Sequence, residues 1–175
     1  MRLSIIFLSF LSNFVFAASA PNFQGDLMDG GRTSLKEELA KGKPLLLSFW
    51  ATWCSPCLDE LDHVGANLKQ EALNLSFLTV NADTSETSAQ VKPTYRLHKF
   101  SFPVIQDPKH DILNKYHSDG TLPFSVLISP SGQIVETFNG YSEGMYAKIK
   151  NYVQKQDQKS SAPAKTEAKP TEKKK

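Results

Sequence analysis

The stretch Phe49-Trp50-Ala51-Thr52-Trp53-Cys54-Ser55-Pro56-Cys57 holds both cysteines of the chain, two residues apart, where one hydrophobic pattern gives way to another. Before it, Leu45-Leu46-Leu47-Ser48-Phe49-Trp50 reads as a buried strand with one polar break at Ser48. After it, Leu58, Leu61, Val64 and Leu68 recur at steps of three and four, the single apolar stripe of an amphipathic helix. Asp59, Glu60 and Asp62 put negative charge in the early turns of that helix, where its dipole favours it. The cysteines therefore lie on a strand-to-helix junction.

That position has chemical consequences. Residues three apart on a helix have Cβ atoms about 5–6 Å apart, and a disulfide wants roughly 3.5–4.5 Å. A modest tightening of the first turn thus lets Cys54 and Cys57 open and close. Unpaired N–H groups and the positive end of the dipole favour thiolate there, and in such motifs the leading cysteine falls from a pKa of about 8.5 to between about 3.5 and 7.5. Pro56 suits a helix entry, where its missing N–H costs little. The pattern points to a redox dithiol with Cys54 as nucleophile and Cys57 as resolving thiol. The competing explanation is a structural disulfide, but stabilising bridges usually close long loops, and a two-residue gap gains little that way.

Both ends of the 175-residue chain look non-globular, and what remains suits one domain. Met1-Arg2, an apolar run over 3–16 and the small residues Ala17-Ala18-Ser19-Ala20 form the pattern of a secretory signal peptide over 1–17. Cleavage is expected after Ala17, with Ala20 as the alternative; an uncleaved segment anchoring the protein to the membrane is the competing expectation. No cysteine stands near the cleavage region to carry a lipid. Residues 158–175 are assigned to a disordered Lys/Pro/Ala-rich tail, too poor in apolar surface to fold. The chain carries +2 overall, with +4 in 159–175 and +1 at Arg2, which leaves −3 for the rest. The basic balance is a property of the tail, and nothing in the pattern suggests nucleic-acid recognition.

Residues 18–157 are expected to form the folded domain. Asp29-Gly30-Gly31-Arg32 predicts a turn in a short hairpin, and Thr33-Ser34 caps a small helix that stops at Gly42. Strands are predicted at 75–80, 102–105, 124–128 and 134–138, the last two joined by Ser129-Pro130-Ser131-Gly132. Helices are predicted over 84–99, interrupted or restarted at Pro93, over about 109–116, and in a last segment with Met145, Ile149, Tyr152 and Val153 on one face. Asn81-Ala82-Asp83 leaves its strand at the cysteine end if the two strands are parallel. The result is an α/β fold with a mixed central sheet, helices on both faces and an N-terminal hairpin.

The pattern resembles the thioredoxin fold and, more narrowly, the exported TlpA-like or ResA-like thiol:disulfide oxidoreductases. Asn22-Phe23, Gly42-Lys43-Pro44, the stretch from Phe49 to Cys57, Glu60, Phe102-Pro103-Val104, Leu122-Pro123 and Ser129-Pro130-Ser131-Gly132 carry the resemblance. It implies that Pro123 follows a cis peptide bond and lies against the cysteines, turning the Thr121 and Leu122 backbone toward an incoming chain. Cytoplasmic thioredoxins have a buried carboxylate where this chain has Ser48. ResA-like members carry a glutamate at the position of Glu60, about 300° around the helix from Cys57, which would take the Cys57 proton; the alternative is a solvated acid. Asp62 stands where many members have proline, which puts the usual kink in doubt.

The resemblance further implies a protein-disulfide reductase of exported proteins, of the cytochrome c maturation type and periplasmic. It would act as a monomer without a cofactor, on disulfide-containing substrates, recharged by a membrane electron donor of the DsbD or CcdA kind. Trp53, Thr121, Leu122 and Pro123 would bind the substrate segment, and Ser55-Pro56 lacks the histidine that strong oxidants carry. Two rivals are copper or zinc binding by the cysteine pair, which lacks further ligands because His63 points elsewhere on the helix, and a thiol peroxidase, which needs threonine and arginine around the peroxide. His98, His110 and His117 are expected to be surface or packing residues. Metal ligands are predicted nowhere in the chain.

Overall fold

The computed structural model describes residues 18–161. The predicted signal segment 1–17, and the predicted tail from residue 162 onward, lie outside the described residues. The elements run β1 (Gln24–Asp26), β2 (Arg32–Ser34), α1 (Leu35–Leu39), β3 (Leu45–Trp50), α2 (Ser55–Glu71), β4 (Ser76–Asn81), α3 (Val91–Leu97), β5 (Val104–Gln106), α4 (Leu113–Tyr116), β6 (Phe124–Ile128), β7 (Ile134–Asn139) and α5 (Glu143–Ser161). β1 and β2 form the small antiparallel hairpin, and the other strands form one mixed sheet in the order β5-β4-β3-β6-β7. β4 lies parallel to β3 and β5, while β6 and β7 run antiparallel to their neighbours.

β3 is buried along its whole length because both faces of the sheet are covered. Its alternation sorts the core. Leu45, Leu47 and Phe49 pack with Leu35 of α1 and Leu113 of α4 on one face. Leu46 packs with Val64 of α2 and with Met145, Ile149 and Val153 of α5 on the other. Trp50, on that second face, joins Cys54, Cys57, Leu61 and Val91. Ser48 thus lies between Leu46 and Trp50, under α2, and is 1% exposed. Its register partner on β6 is Ser125, so two polar breaks in apolar runs meet in the middle of the sheet.

Three predicted helices have different bounds. Over 84–99 the chain makes turns, then a 3-10 segment at Ser88–Gln90, and becomes α-helical only at Val91. Pro93 is the third residue of α3, in the first turn, where a backbone N–H has no intrahelical partner to lose. The segment predicted at about 109–116 shrinks to α4, because the Asp107 carboxylate accepts the N–H groups of Ile112 and Leu113 at 3.0 and 2.9 Å and His110 takes a left-handed φ of 59°. At the other end α5 continues to Ser161, past the predicted domain end at 157. Its apolar stripe stops at Val153, but Asp157 accepts a 2.9 Å bond from Asn74 Nδ2 and the last turn stays helical. α1 begins as predicted, with the Ser34 hydroxyl accepting the Glu37 N–H at 3.2 Å.

Candidate active site

β3 ends at Trp50 and four residues later Cys54 is the N-cap of α2, with Pro56 in the first helical turn. The Cys54 carbonyl accepts the N–H groups of Cys57 and Leu58 at 3.0 and 3.2 Å, which winds the two cysteines onto one side of the helix start. They form a disulfide with a Cα–Cα separation of 5.3 Å. Cys54 is the outer of the two, 5% exposed against 1% for Cys57. Trp53 stands 64% exposed beside them.

The peptide bond between Leu122 and Pro123 is cis. Pro123 is buried, Leu122 half-buried and Thr121 exposed. Leu122 packs against the cluster that contains both cysteines, which places this loop beside the disulfide. The approach to it is ordered by side chains: Asp119 Oδ1 accepts the Thr121 N–H and hydroxyl, each at 2.9 Å, and His117 Nε2 lies 2.7 Å from the same hydroxyl. The Pro123 carbonyl accepts the Gly140 N–H at 2.8 Å, so the turn between β7 and α5 borders the same loop.

Glu60 is not a solvated acid. One turn along α2 from Cys57, it is 2% exposed and reaches down to the sheet at the paired serines. Ser125 Oγ lies 2.6 Å from Glu60 Oε1 and 2.7 Å from Ser48 Oγ. Ser125 Oγ is the donor in both contacts and has one proton, so at any moment it serves either Glu60 Oε1 or Ser48 Oγ. Glu60 Oε2 is buried without a hydrogen-bond partner among the described residues. Burial pushes the Glu60 carboxyl above its ordinary value of 4.5, and the serine bonds pull the other way without cancelling it. A buried carboxyl whose charged form is disfavoured is suited to accepting a proton.

Of the residues the sequence singled out, Cys54, Cys57, Trp53 and the loop over 121–123 lie at the cysteine end of the sheet, while the Glu60 carboxyl reaches the paired serines in its middle. Ser125 was missed, although a serine inside Phe124-Ser125-Val126-Leu127-Ile128 is the same signal that singled out Ser48. Asp83 drew no reading of its own beyond its place at the strand end, and its carboxylate accepts both the Thr52 N–H and hydroxyl, at 2.8 and 2.6 Å.

Each histidine has a partner among the protein's own groups. His63 Nδ1 lies 2.8 Å from the Tyr141 hydroxyl, His98 Nδ1 lies 2.8 Å from an Asp62 carboxylate oxygen, and His110 Nε2 lies 2.8 Å from the Ala82 carbonyl oxygen. His117 stacks on Phe124 with centroids 4.1 Å apart. Among the described residues no group of three or more His, Cys, Asp or Glu is arranged to hold a metal ion.

Comparison with known proteins agrees with this chemistry. Residues 17–137 match the model of the AhpC/TSA family. A thiol-disulfide oxidoreductase ResA of Bacillus cereus is 34% identical over 137 residues, 78% of this chain and 75% of that protein. The thioredoxin-like protein YneN of Bacillus subtilis is 32% identical over 122 residues, 69% of each chain. The crystal structure of StoA from Bacillus subtilis aligns with a TM-score of 0.63 at 27% identity, covering 77% of this chain and 98% of that one. With a thioredoxin-like sheet, a cysteine pair at the mouth of α2 and relatives of this kind, the chain belongs to the AhpC/TSA family and, within it, to the ResA-related thiol-disulfide oxidoreductases.

Proposed function

We propose that the protein is a reductant of disulfides in exported proteins, with Cys54 as the attacking sulfur, Cys57 as the resolving sulfur and Glu60 as the proton acceptor. The observation that carries this is the order of burial along one helix turn: Cys54 outermost, Cys57 behind it, and a buried carboxyl with a raised pKa one turn further in.

In the reduced protein the Cys54 thiolate attacks one sulfur of the substrate disulfide. A Cys54–substrate bond forms, the substrate S–S bond breaks, and one substrate thiolate leaves. Cys57 passes its proton to Glu60 and its thiolate attacks Cys54 Sγ. The mixed disulfide breaks, the second substrate thiolate departs, and two electrons have moved from the protein to the substrate. An external dithiol, in our proposal a membrane donor of the DsbD or CcdA kind, then reduces the Cys54–Cys57 bond. Trp53 and the loop of Thr121, Leu122 and Pro123 receive the substrate segment, and cytochrome c precursors are the substrate class the sequence resemblance favours.

A thiol peroxidase is less well supported. Thr52, the threonine nearest Cys54 in sequence, has its hydroxyl committed to Asp83. Among the described residues the arginines are Arg32, paired with Asp26 on the hairpin at 2.8 Å, and Arg96, exposed in the last turn of α3.

Export to the periplasm, with a monomeric mature protein, completes the proposal. The Ala18 carbonyl accepts the Ile134 N–H at 2.7 Å, and Ser19 bridges to Gln133, at the end of the sheet away from the cysteines. Cleavage after Ala17 keeps those bonds and cleavage after Ala20 removes them, which favours the former. No helix among the described residues is long and apolar enough to cross a membrane.

The test is the redox equilibrium of the purified protein with glutathione. A reductant holds its own disulfide at equilibrium in a buffer of mixed reduced and oxidised glutathione; a protein found mostly as dithiol under those conditions is an oxidant, and the proposed direction is wrong.

A further inference from the structure

Asp83 is 2% exposed, just past the end of β4, and carries a carboxylate that no lysine or arginine pairs with among the described residues. Burying such a group is costly unless it is fully hydrogen-bonded. Its bonds account for both oxygens. Oδ2 accepts the Thr52 N–H at 2.8 Å and Asn81 Nδ2 at 2.8 Å, and Oδ1 accepts the Thr52 hydroxyl at 2.6 Å. The Asp83 N–H in turn donates to Asn81 Oδ1 at 3.2 Å, so Asn81 fixes the plane of the carboxylate. The parallel register of Trp50 with Asn81, and the 2.8 Å bond from Ala82 N to the Trp50 carbonyl, deliver Asp83 opposite Thr52.

What this clamp holds is the turn that leads into the disulfide. Trp53 makes no ring-to-ring contact among the described residues and is 64% exposed, so its place is set by the backbone on either side. On one side is Thr52, held by Asp83; on the other is Cys54, whose N–H bonds the Ala51 carbonyl at 3.1 Å. We infer that Asp83 is a positioning residue for thiol-disulfide exchange, a buried carboxylate that locks the Ala51-to-Cys54 turn so that Trp53 and Cys54 are presented together to an incoming polypeptide. This rests on the exchange chemistry proposed above. It gives the carboxylate a role in docking.

Position and charge can be separated here. In Asp83→Asn the amide carbonyl replaces Oδ2 and the amide N–H₂ meets the Thr52 hydroxyl, which turns to accept, so the clamp survives without the charge. Asp83→Ala removes it altogether, and Thr52→Val removes one of its two bonds. The full-length protein and these variants are assayed on insulin and on a small aromatic disulfide that needs no docking. The expected result on insulin is a loss of about tenfold in kcat/KM for Asp83→Ala, mostly in KM. Asp83→Asn stays within about twofold of the wild type, Thr52→Val falls between, and the double variant Asp83→Ala/Thr52→Val is no worse than Asp83→Ala. Rates on the small disulfide change by less than about twofold throughout. Asp83→Asn as slow as Asp83→Ala, a loss equal on both substrates, or additive effects in the double variant would overturn the inference. If Asp83→Ala does not fold, the split between insulin and the small disulfide in Thr52→Val decides it. Wild-type protein inactive on both disulfides would instead overturn the exchange chemistry itself.

Discussion

The two faces of the central strand solve different problems with neighbouring residues. Leu45, Leu47 and Phe49 look onto α1 and α4 through an apolar cluster that includes Phe124 and Val126 from β6. One residue out of phase, Leu46, Ser48 and Trp50 look onto α2, and there the layer is interrupted by Ser48, Ser125 and Glu60, each no more than 2% exposed. A carboxyl buried with one oxygen unpartnered is a poor way to stabilise a sheet. The first face is built for cohesion. The second gives up cohesion around a buried carboxyl one helical turn from Cys57, the group our proposal uses as the proton acceptor.

That contrast is open to direct attack. Leu47→Ala, on the dry face, is expected to cost about 2–5 kcal/mol of unfolding free energy by urea titration, while the equilibrium with glutathione stays at the wild-type value. A shift in that equilibrium would mean the faces are not separable. Glu60→Gln, on the other face, is expected to slow resolution of the mixed disulfide by about 100-fold at neutral pH, read by stopped-flow release of the second substrate thiol. Ser125→Ala leaves Glu60 Oε1 without its donor and should destabilise the protein by about 1–3 kcal/mol at pH 7, an effect reduced when Glu60 is already Gln, whose neutral oxygen is less costly to leave unbonded.

A smaller effect carries the sign of the Glu60 shift. Its folded pKa is raised above the unfolded value of 4.5, so the folded state binds the proton more tightly. Its contribution is fully present below pH 4.5 and is lost as pH rises through the folded value. Wild-type stability should therefore decline above pH 4.5 relative to Glu60→Gln, with the two curves parallel at more acidic pH. Parallel curves across the whole range would show that the carboxyl is ordinary.

How much of this the sequence displayed depends on the range of the interaction. β3, α2 and the cysteine junction were legible because their signals are local: an apolar run, a 3.6-residue stripe, a proline at a helix entry. The cis bond before Pro123 came from resemblance, since nothing in the Leu122-Pro123 pair distinguishes cis from trans. The Asp107 carboxylate shortened α4 by bonding backbone groups five and six residues on, which propensity does not register. Glu60 was singled out but its burial was not legible, because its partner Ser125 is 65 residues away and across the sheet. Asp83 escaped for the same reason: its partner Thr52 is 31 residues earlier.

The central claim is that Cys54 meets the substrate and Cys57 releases it. Its most direct test is covalent trapping in cells of the source organism expressing Cys57→Ser or Cys54→Ser at matched levels, followed by non-reducing electrophoresis and mass spectrometry of the linked partners. Cys57→Ser should accumulate mixed disulfides through Cys54, and Cys54→Ser should accumulate essentially none. Equal trapping by both variants, or trapping by Cys54→Ser alone, would contradict the assignment of the outer sulfur as the nucleophile.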